Sequence, residues 1–479
     1  MITTTSNFDA KHGLNYKTPV YSVCFHQGPT TFPFVFSFTF GPESEENGFY
    51  FSNKEVAQIM LDEGGSTITD EDGNAIDCSP IHYKLLKNIS GIKQTVTPDK
   101  GQASISGVTA TLVDQDNIIT SMFSYDSVAN LHRTKVSVKA GYKGLSFSDY
   151  PTIFTGWATG CKMSSDLGNY VFTITDPQKW LQKYVARSAT SDAPVYYQGN
   201  PINIILQILL STGEKSNGVY DFRSAANGCG IDQDYVDVAG LEAIRDRYYP
   251  GDSHYLRIIV TERIKAKDLI EKEILKVLNC YPKIDGNGRY SIVPFDRPII
   301  PDDVVTFDKD NIIGMPAWSA NWESLKNEIE FSHDYDVTEN DFEEITYYAD
   351  ADSINARGQG NEQITIESHG LHLSHSPSSV QSRAETIISR RKQVAFDRWK
   401  EPPIKVTIKT LFLMWHVEAG DIVYLTHPDL PDIAVGTKGV TQKPMEVLSR
   451  SVDWKNGRVN FELLDTGFGQ GTTLDELVA

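Results

Sequence analysis

Short runs in which apolar or aromatic side chains alternate with small or polar ones fill the first third of the chain. PFVFSFTF (33–40), VTATLV (108–113), KVSVKAG (135–141), TIFTGWATG (152–160) and YVFTITD (170–176) are rich in β-branched and aromatic residues. Their period is close to two, which sets one side of a strand against a core. Clusters of Gly, Asp, Asn and Ser separate the runs at turn-like spacing. Such a series closes most economically as an antiparallel barrel or sandwich, because either protects strand edges. Residues 62–77 are acidic and Gly-rich and are predicted to form a surface excursion.

The texture changes near residue 176. In PINIILQILLSTG, Ile202, Ile205, Leu206 and Leu209 recur at helical spacing, with Gly213 placed to end the helix. AKDLIEKEILKVLN reads as a second amphipathic helix: Leu269, Ile270, Ile274 and Val277 form a stripe, and Glu271, Lys272, Glu273 and Lys276 fall mostly off it. PKIDGNGRYSIVPFD then predicts a hairpin about Asp285-Gly286-Asn287-Gly288. A small α+β unit is implied.

Strand periodicity returns in NEIEFSHDYD, KVTIKTLFLMW, DIVYLTH, MEVLSRSVDW and GRVNFELLD. One helix interrupts them over 378–396, with Ser378 and Gln381 in capping-box positions and Val380, Ala384, Ile387 and Ile388 directed inward. The expected fold class is mainly β with α+β. Its parts are a strand-rich arm (1–85), a first β unit (86–185), an α+β unit (186–315), a second β unit with the inserted helix (316–470) and a Gly-rich tail (471–479).

A length of 479 residues exceeds what one core usually serves and suggests about three or four compact units. No basic, then apolar leader opens the chain, and no run is long and apolar enough for a membrane anchor. The expectation is a soluble protein made in the cytoplasm. Cys24, Cys78, Cys161, Cys229 and Cys280 are odd in number and far apart, which argues against a disulfide framework or a zinc site. A net charge of −19 would repel a polyanion, so nucleic-acid recognition is not expected. A channel that lets DNA pass without holding it remains compatible.

The order of these segments resembles the hub proteins of bacteriophage tails: contractile-phage baseplate hubs, tail-tip proteins and the spike bases of type VI secretion. Four stretches carry the resemblance: KVSVKAGYKGLSFSDYPTIFTGWATG; ILLSTGEKSNGVYD with CGIDQDYVD; LIEKEILKVLNCYPKIDGNGRYSIVPF with LKNEIEFSHDYD; and DADSINARGQGNEQITIESHGL through FDRWKEPPIKVTIKTLFLMWHVEAGDIVYLTHPDLP. They lie within 86–465, while the first 85 residues match poorly and either complete the first barrel or form an added arm. The resemblance implies two related antiparallel β-barrel domains separated by a small α+β domain. It further implies a homotrimer whose six similar positions join a sixfold tail tube or distal tail protein to a threefold central tail fibre or spike. A tape measure protein would be a neighbour, DNA would pass through the lumen, and the protein would reside in the virion at the tail tip. The competing reading is a receptor- or glycan-binding tail protein, or a β-rich cell-wall hydrolase.

No catalytic, cofactor-binding or metal-binding residue is assigned. His369, His372 and His375 are the best metal candidates, but their spacing suits neither a strand face nor a zinc helix, and a solvated turn is expected. The acidic turns at 69–77 and 285–288 lack the terminal Glu of a calcium loop. Glu323, Glu328, Glu343 and Glu344 lie among Trp322, Tyr347 and Tyr348, but proximity in sequence does not make the carboxylate pair of a glycosidase. Nucleophile elbow, phosphate loop and Cys/His signature are all missing. Arg390-Arg391-Lys392 sits late in the helix, where cations suit the dipole. Trp157, Trp180, Trp322, Trp399, Trp415 and Trp454 suggest cores or subunit contacts before sugar stacking. The turns at Asp114-Gln115-Asp116 and Asp334-Tyr335-Asp336 are candidates for an acidic lumen wall.

Overall fold

The computed structural model describes most of residues 85–467, together with Pro19–Phe25, Phe49–Ser52, His82–Tyr83 and the single positions Ser6 and Phe8. The predicted run at 33–40, the excursion at 62–77 and the tail at 471–479 lie outside the described residues. So do Gly213, Trp322, Glu323, His375 and Trp454.

The first β unit is built from β1 (Pro19–Phe25), β2 (Phe49–Ser52), β3 (His82–Tyr83), β4 (Leu86–Ile89), β7 (Val108–Val113), β8 (Lys135–Tyr142), β9 (Thr152–Met163) and β10 (Asn169–Thr175), with β5 (Lys93–Thr97) and β6 (Gln102–Ile105) leaving it between β4 and β7. Its strand order is β3-β2-β1-β8-β9-β10-β7-β4. The N-terminal strand β1 runs antiparallel to β8 from Pro19 opposite Tyr142 to Phe25 opposite Val136. The described part of the N-terminal segment thus joins the first unit. Alternation delivers the core: Val108, Ala110 and Leu112 of β7 and Phe172 and Ile174 of β10 are buried, while Thr109 and Thr173 are exposed.

The middle unit opens with β11 (Tyr184–Val185), β12 (Val195–Gly199) and the helix Pro201–Leu210, in which all the predicted stripe residues are buried. After β13 (Lys215–Ser216) and β14 (Val219–Tyr220) come the helix Val238–Tyr248, β15 (Leu256–Val260) and β16 (Ile264–Lys265). A helix over 266–278 follows, and then the predicted hairpin, β17 (Cys280–Ile284) with β18 (Tyr290–Pro294). The helix over 266–278 carries a π-turn at Glu271–Leu275. This wider turn lets the apolar stripe take in Glu271, expected off it, which is buried at 4% exposure.

Strands β19 (Thr306–Phe307) and β20 (Ala317–Ala320) then cross into the second β unit, and the chain returns with β21 (Glu328–Asp336), β22 (Asp341–Ala349) and β23 (Ile364–Glu367), a three-stranded sheet in the order β22-β21-β23. The long helix Ser378–Trp399 lies on one face of this sheet. Ile329, Phe331, Ile364 and Ile366 share a core with Ala384, Ile387 and Ile388 and with the middle unit. Residues of 328–399, expected within the second β unit, share this core with the middle unit and with Leu448 and Leu464. Their apolar periodicity fits either partner, and only the tertiary arrangement decides.

The second β unit is completed by β24 (Ile404–Leu411), β25 (Ile422–Asp432), β26 (Thr437–Asp453) and β27 (Arg458–Asp465), in the order β19-β25-β26-β27-β24-β20. Its plan matches the first. In each unit one strand (β7, β24) leads through a short helical turn with a buried anchor (Ile119; Met414 and Trp415) into a three-strand meander (β8-β9-β10, β25-β26-β27). The meander's last strand returns beside the first, an earlier strand (β4, β20) pairs outside it, and another (β1, β19) flanks the far side. The flanking strand is antiparallel in the first unit and parallel in the second. Both last meander pairs carry a register shift, at Thr173/Ile174 and Val447/Ser449.

Among the described residues the strand order of neither sheet returns to its first strand. Their apolar faces meet in one continuous core, where Val136, Val138 and Phe172 join Val406, Phe461 and Leu463. Phe8 reaches this seam, edge-on to Trp415 at 5.7 Å and against Tyr142 at 5.3 Å.

Candidate functional site

The polar chemistry of the molecule concentrates where its units meet. Hairpin β5–β6 leaves the first unit and adds to the second: β5 pairs antiparallel with β26 at Lys93–Ser451, Gln94–Arg450 and Thr95–Ser449. Gln94 donates through Nε2 to Glu418 at 3.4 Å and accepts from the Ala419 amide at 3.3 Å. The turn of the hairpin rests on the middle unit. At Gly101, with φ of 62°, a Cβ would stand 2.8 Å from the Lys276 nitrogen. Lys326 pairs with Asp99 at 3.0 Å across the same seam. One hairpin thereby ties all three units together.

Buried charge completes the junction. Arg398, at the end of the long helix, binds Glu446 of β26, donates to the Thr466 carbonyl at 3.1 Å and lies 3.9 Å over the Phe295 ring. Tyr281 of β17 donates to the same Glu446 carboxylate at 2.9 Å. Lys283, two residues along, reaches Asp421 at 3.2 Å and Glu418 at 3.9 Å. Arg450 donates to the Trp415 and Val417 carbonyls at 3.0 and 3.1 Å. Charges removed from water this completely persist only when paired, and the pairing fixes how the units seat on one another.

The basic triplet is spent inside the molecule as well. Arg390 binds Asp296 and covers Tyr248 and Tyr249. Arg391, 2% exposed, donates through Nε to the Lys276 carbonyl at 3.2 Å, at the last turn of the helix over 266–278. Lys392 lies 4.5 Å over Tyr348. The cations serve neighbouring elements rather than only the dipole of their own helix.

His369 and His372 do not converge on a shared point. His369 Nδ1 contacts Glu273 at 3.0 Å, which raises its pKa, and its ring stands edge-on to Tyr335 at 4.2 Å. His372 Nε2 meets the Arg257 carbonyl at 3.0 Å, and burial lowers its pKa. The expected solvated turn is therefore corrected for these two: both rings are packed. Among the described residues no group of three His, Cys, Asp or Glu could hold a metal ion. Asp285 of the predicted acidic turn accepts from the Arg289 amide and side chain, both at 2.8 Å.

Asp334, offered as a lumen candidate, is 2% exposed with φ of 54°. It contacts His333 Nδ1 at 2.7 Å and accepts from the Leu373 and Ser374 amides. Burial opposes its charge, but His333 and these amides outweigh burial and hold the carboxyl below its usual range. Asp114 accepts from the Ile119 and Thr120 amides and caps the helical turn after β7.

The carboxylates weighed as a hydrolytic pair are arranged otherwise. Glu328 is 8% exposed and is held by Gln359 Nε2 at 2.9 and 2.8 Å, while Tyr347 hydrogen-bonds it and has its own pKa pushed up to about 12. Glu343 and Glu344 lie exposed on opposite faces of β22. Trp157, Trp399 and Trp415 are buried, and Trp157 stacks edge-on with Trp180 at 4.1 Å and Tyr235 at 5.4 Å. These aromatics fill cores. Sequence reasoning missed the clasp β5–β6 and the buried set Arg398, Glu446 and Tyr281, since nothing local marks a contact between residues 165 positions apart.

No helix among the described residues is long and apolar enough to cross a membrane. No family model matches the chain, and no curated protein matches it. Among solved structures it is similar to the 43 kDa tail protein of prophage MuSo2 from Shewanella oneidensis, at 11% identity and a TM-score of 0.40, covering 82% of this chain and 96% of that one. It is similar to prophage tail protein gp18 from Listeria monocytogenes EGD-e, at 9% identity and a TM-score of 0.39, covering 81% and 91%. A third likeness is to the Francisella PdpA-VgrG complex, at 9% identity and a TM-score of 0.41, covering 96% of this chain and 60% of that one.

Proposed function

We propose that the chain is a non-catalytic structural subunit of a bacteriophage tail tip, a baseplate hub that assembles as a homotrimeric ring. The observation that carries the reading is the strand plan shared by the two β units. A subunit with two similar units offers two similar surfaces, so three copies present six near-equivalent positions to a sixfold neighbour and three to a threefold one. The sixfold neighbour would be a distal tail protein or tail tube protein, the threefold one a central tail fibre or spike, with a tape measure protein and DNA in the lumen. The clasp and buried ion pairs fit a ring component, because they fix the angle between the two units. The acidic balance fits passage of DNA without binding.

The test is the mass of the purified chain by light scattering and native mass spectrometry across a concentration series. Three copies of the 53.5 kDa chain are expected at the upper end, with threefold averages in electron micrographs. A chain that stays monomeric throughout, or closes with another symmetry, would overturn the ring.

A further inference from the structure

We infer that the outward face and open edge of β22 form a docking surface for an extended, lysine- or arginine-bearing segment of a partner protein. The inference does not depend on the tail reading. Sheet β22-β21-β23 has its inner face on the long helix, and among the described residues nothing pairs with the free side of β22. The strand is nine residues long, which gives another strand an edge of ordinary strand length to pair along. Its outward residues are Asp341, Glu343, Ile345, Tyr347 and Ala349, all exposed. Ile345 is 64% exposed and Tyr347 50%, an apolar pair at the centre of an edge.

The charge around that pair selects the occupant. Strands β21, β22 and β23 together contain eight Asp or Glu and no Lys or Arg. Opposite Tyr347 on β21 stands Glu330. A second copy bringing the same edge would set acid against acid, and the chain as a whole is acidic. A strand with alternating cations would instead meet Asp341 and Glu330 while its backbone pairs with β22 and its apolar side chains cover Ile345. The carboxylates thus block self-pairing and favour a basic partner.

The experiment uses the full chain and a fluorescein-labelled peptide of alternating Lys and Val, about nine residues long to match β22, beside the same peptide with Glu for Lys. Anisotropy is read at roughly 0.05 M and 0.5 M salt, and hydrogen exchange locates the site. The basic peptide is expected to bind saturably, to slow exchange in β22, and to weaken in high salt. The Glu peptide is expected not to bind. The double change Asp341→Lys with Glu330→Lys should weaken the basic peptide roughly tenfold, the scale of two lost ion pairs, while Asp310→Lys in the second β unit leaves it unchanged. Absence of saturable binding, equal binding of both peptides, protection elsewhere, or an equal loss from Asp310→Lys would each overturn the proposal.

Discussion

Glu271 shows how a single side chain can make the fold depend on pH. It sits in the π-turn of the helix over 266–278 with its carboxyl buried, and burial raises its pKa to about 7, against the relief given by Lys267 at 3.5 Å. A carboxyl raised in the folded state holds a proton that the unfolded chain has already released. Its contribution is therefore most favourable below its ordinary value of 4.5 and is lost as pH rises through about 7. Glu271→Gln keeps the shape without the charge. We expect the variant to match the parent in urea unfolding near pH 4.5 and to exceed it by roughly 2 kcal/mol near pH 8. A gap that is the same at both pH values would refute the assignment. The sequence reveals the stripe of this helix but not Glu271's burial, because an ideal helical period turns that residue outward. A π-turn is set by packing against neighbours that the local pattern does not contain.

Among the elements, the clasp shows most clearly where local reading ends. Strands β7, β10, β24 and β27 are legible because alternation within each run reports which side is buried. Hairpin β5–β6 alternates too, yet nothing in KQTVT or QASI says that its partner is β26, some 350 residues on. Its turn gives a test. Gly101 and Gly168 both have left-handed backbones, with φ of 62° and 79°, but a Cβ at Gly168 meets nothing within 4 Å, whereas at Gly101 it would meet the Lys276 nitrogen and the Cys280 carbonyl oxygen. Each Gly→Ala change carries the conformational cost of about 1–2 kcal/mol. Gly101→Ala alone adds a backbone clash at the seam of the clasp and the middle unit. We expect the Gly101 variant to lose distinctly more stability in urea than the Gly168 variant, and equal losses would show that the clasp yields without consequence.

For the whole molecule, the predominance of strand with helices between is readable from periodicity, while the common core of the two sheets is not. Buried residues of both sheets join one cluster, a contact between units far apart in sequence. If the chain forms the proposed ring, the same packing alters what that ring would present to DNA. Asp334 is enclosed by His333, Leu373 and Ser374 and contributes little to any wall, so an acidic lumen must draw on exposed groups such as Asp116. Many cations are spent inside: Arg391, Arg398 and Arg450 are buried, and Lys283 and Lys326 are paired across seams. Carboxylates are buried beside them, at Glu271, Glu328, Asp334, Glu418 and Glu446, so the excess of 63 Asp and Glu over 44 Lys and Arg is left to the surface. DNA carries about one charge per 1.7 Å of helix axis, and a ring of exposed cations would hold it through counterion release. We expect the inner wall of the proposed trimer to be acidic or neutral along the path of the DNA. Electron cryomicroscopy of the assembled ring, with the electrostatic potential followed down its axis, measures this directly. A lumen lined mainly by Lys and Arg would show that the chain grips DNA instead of letting it pass.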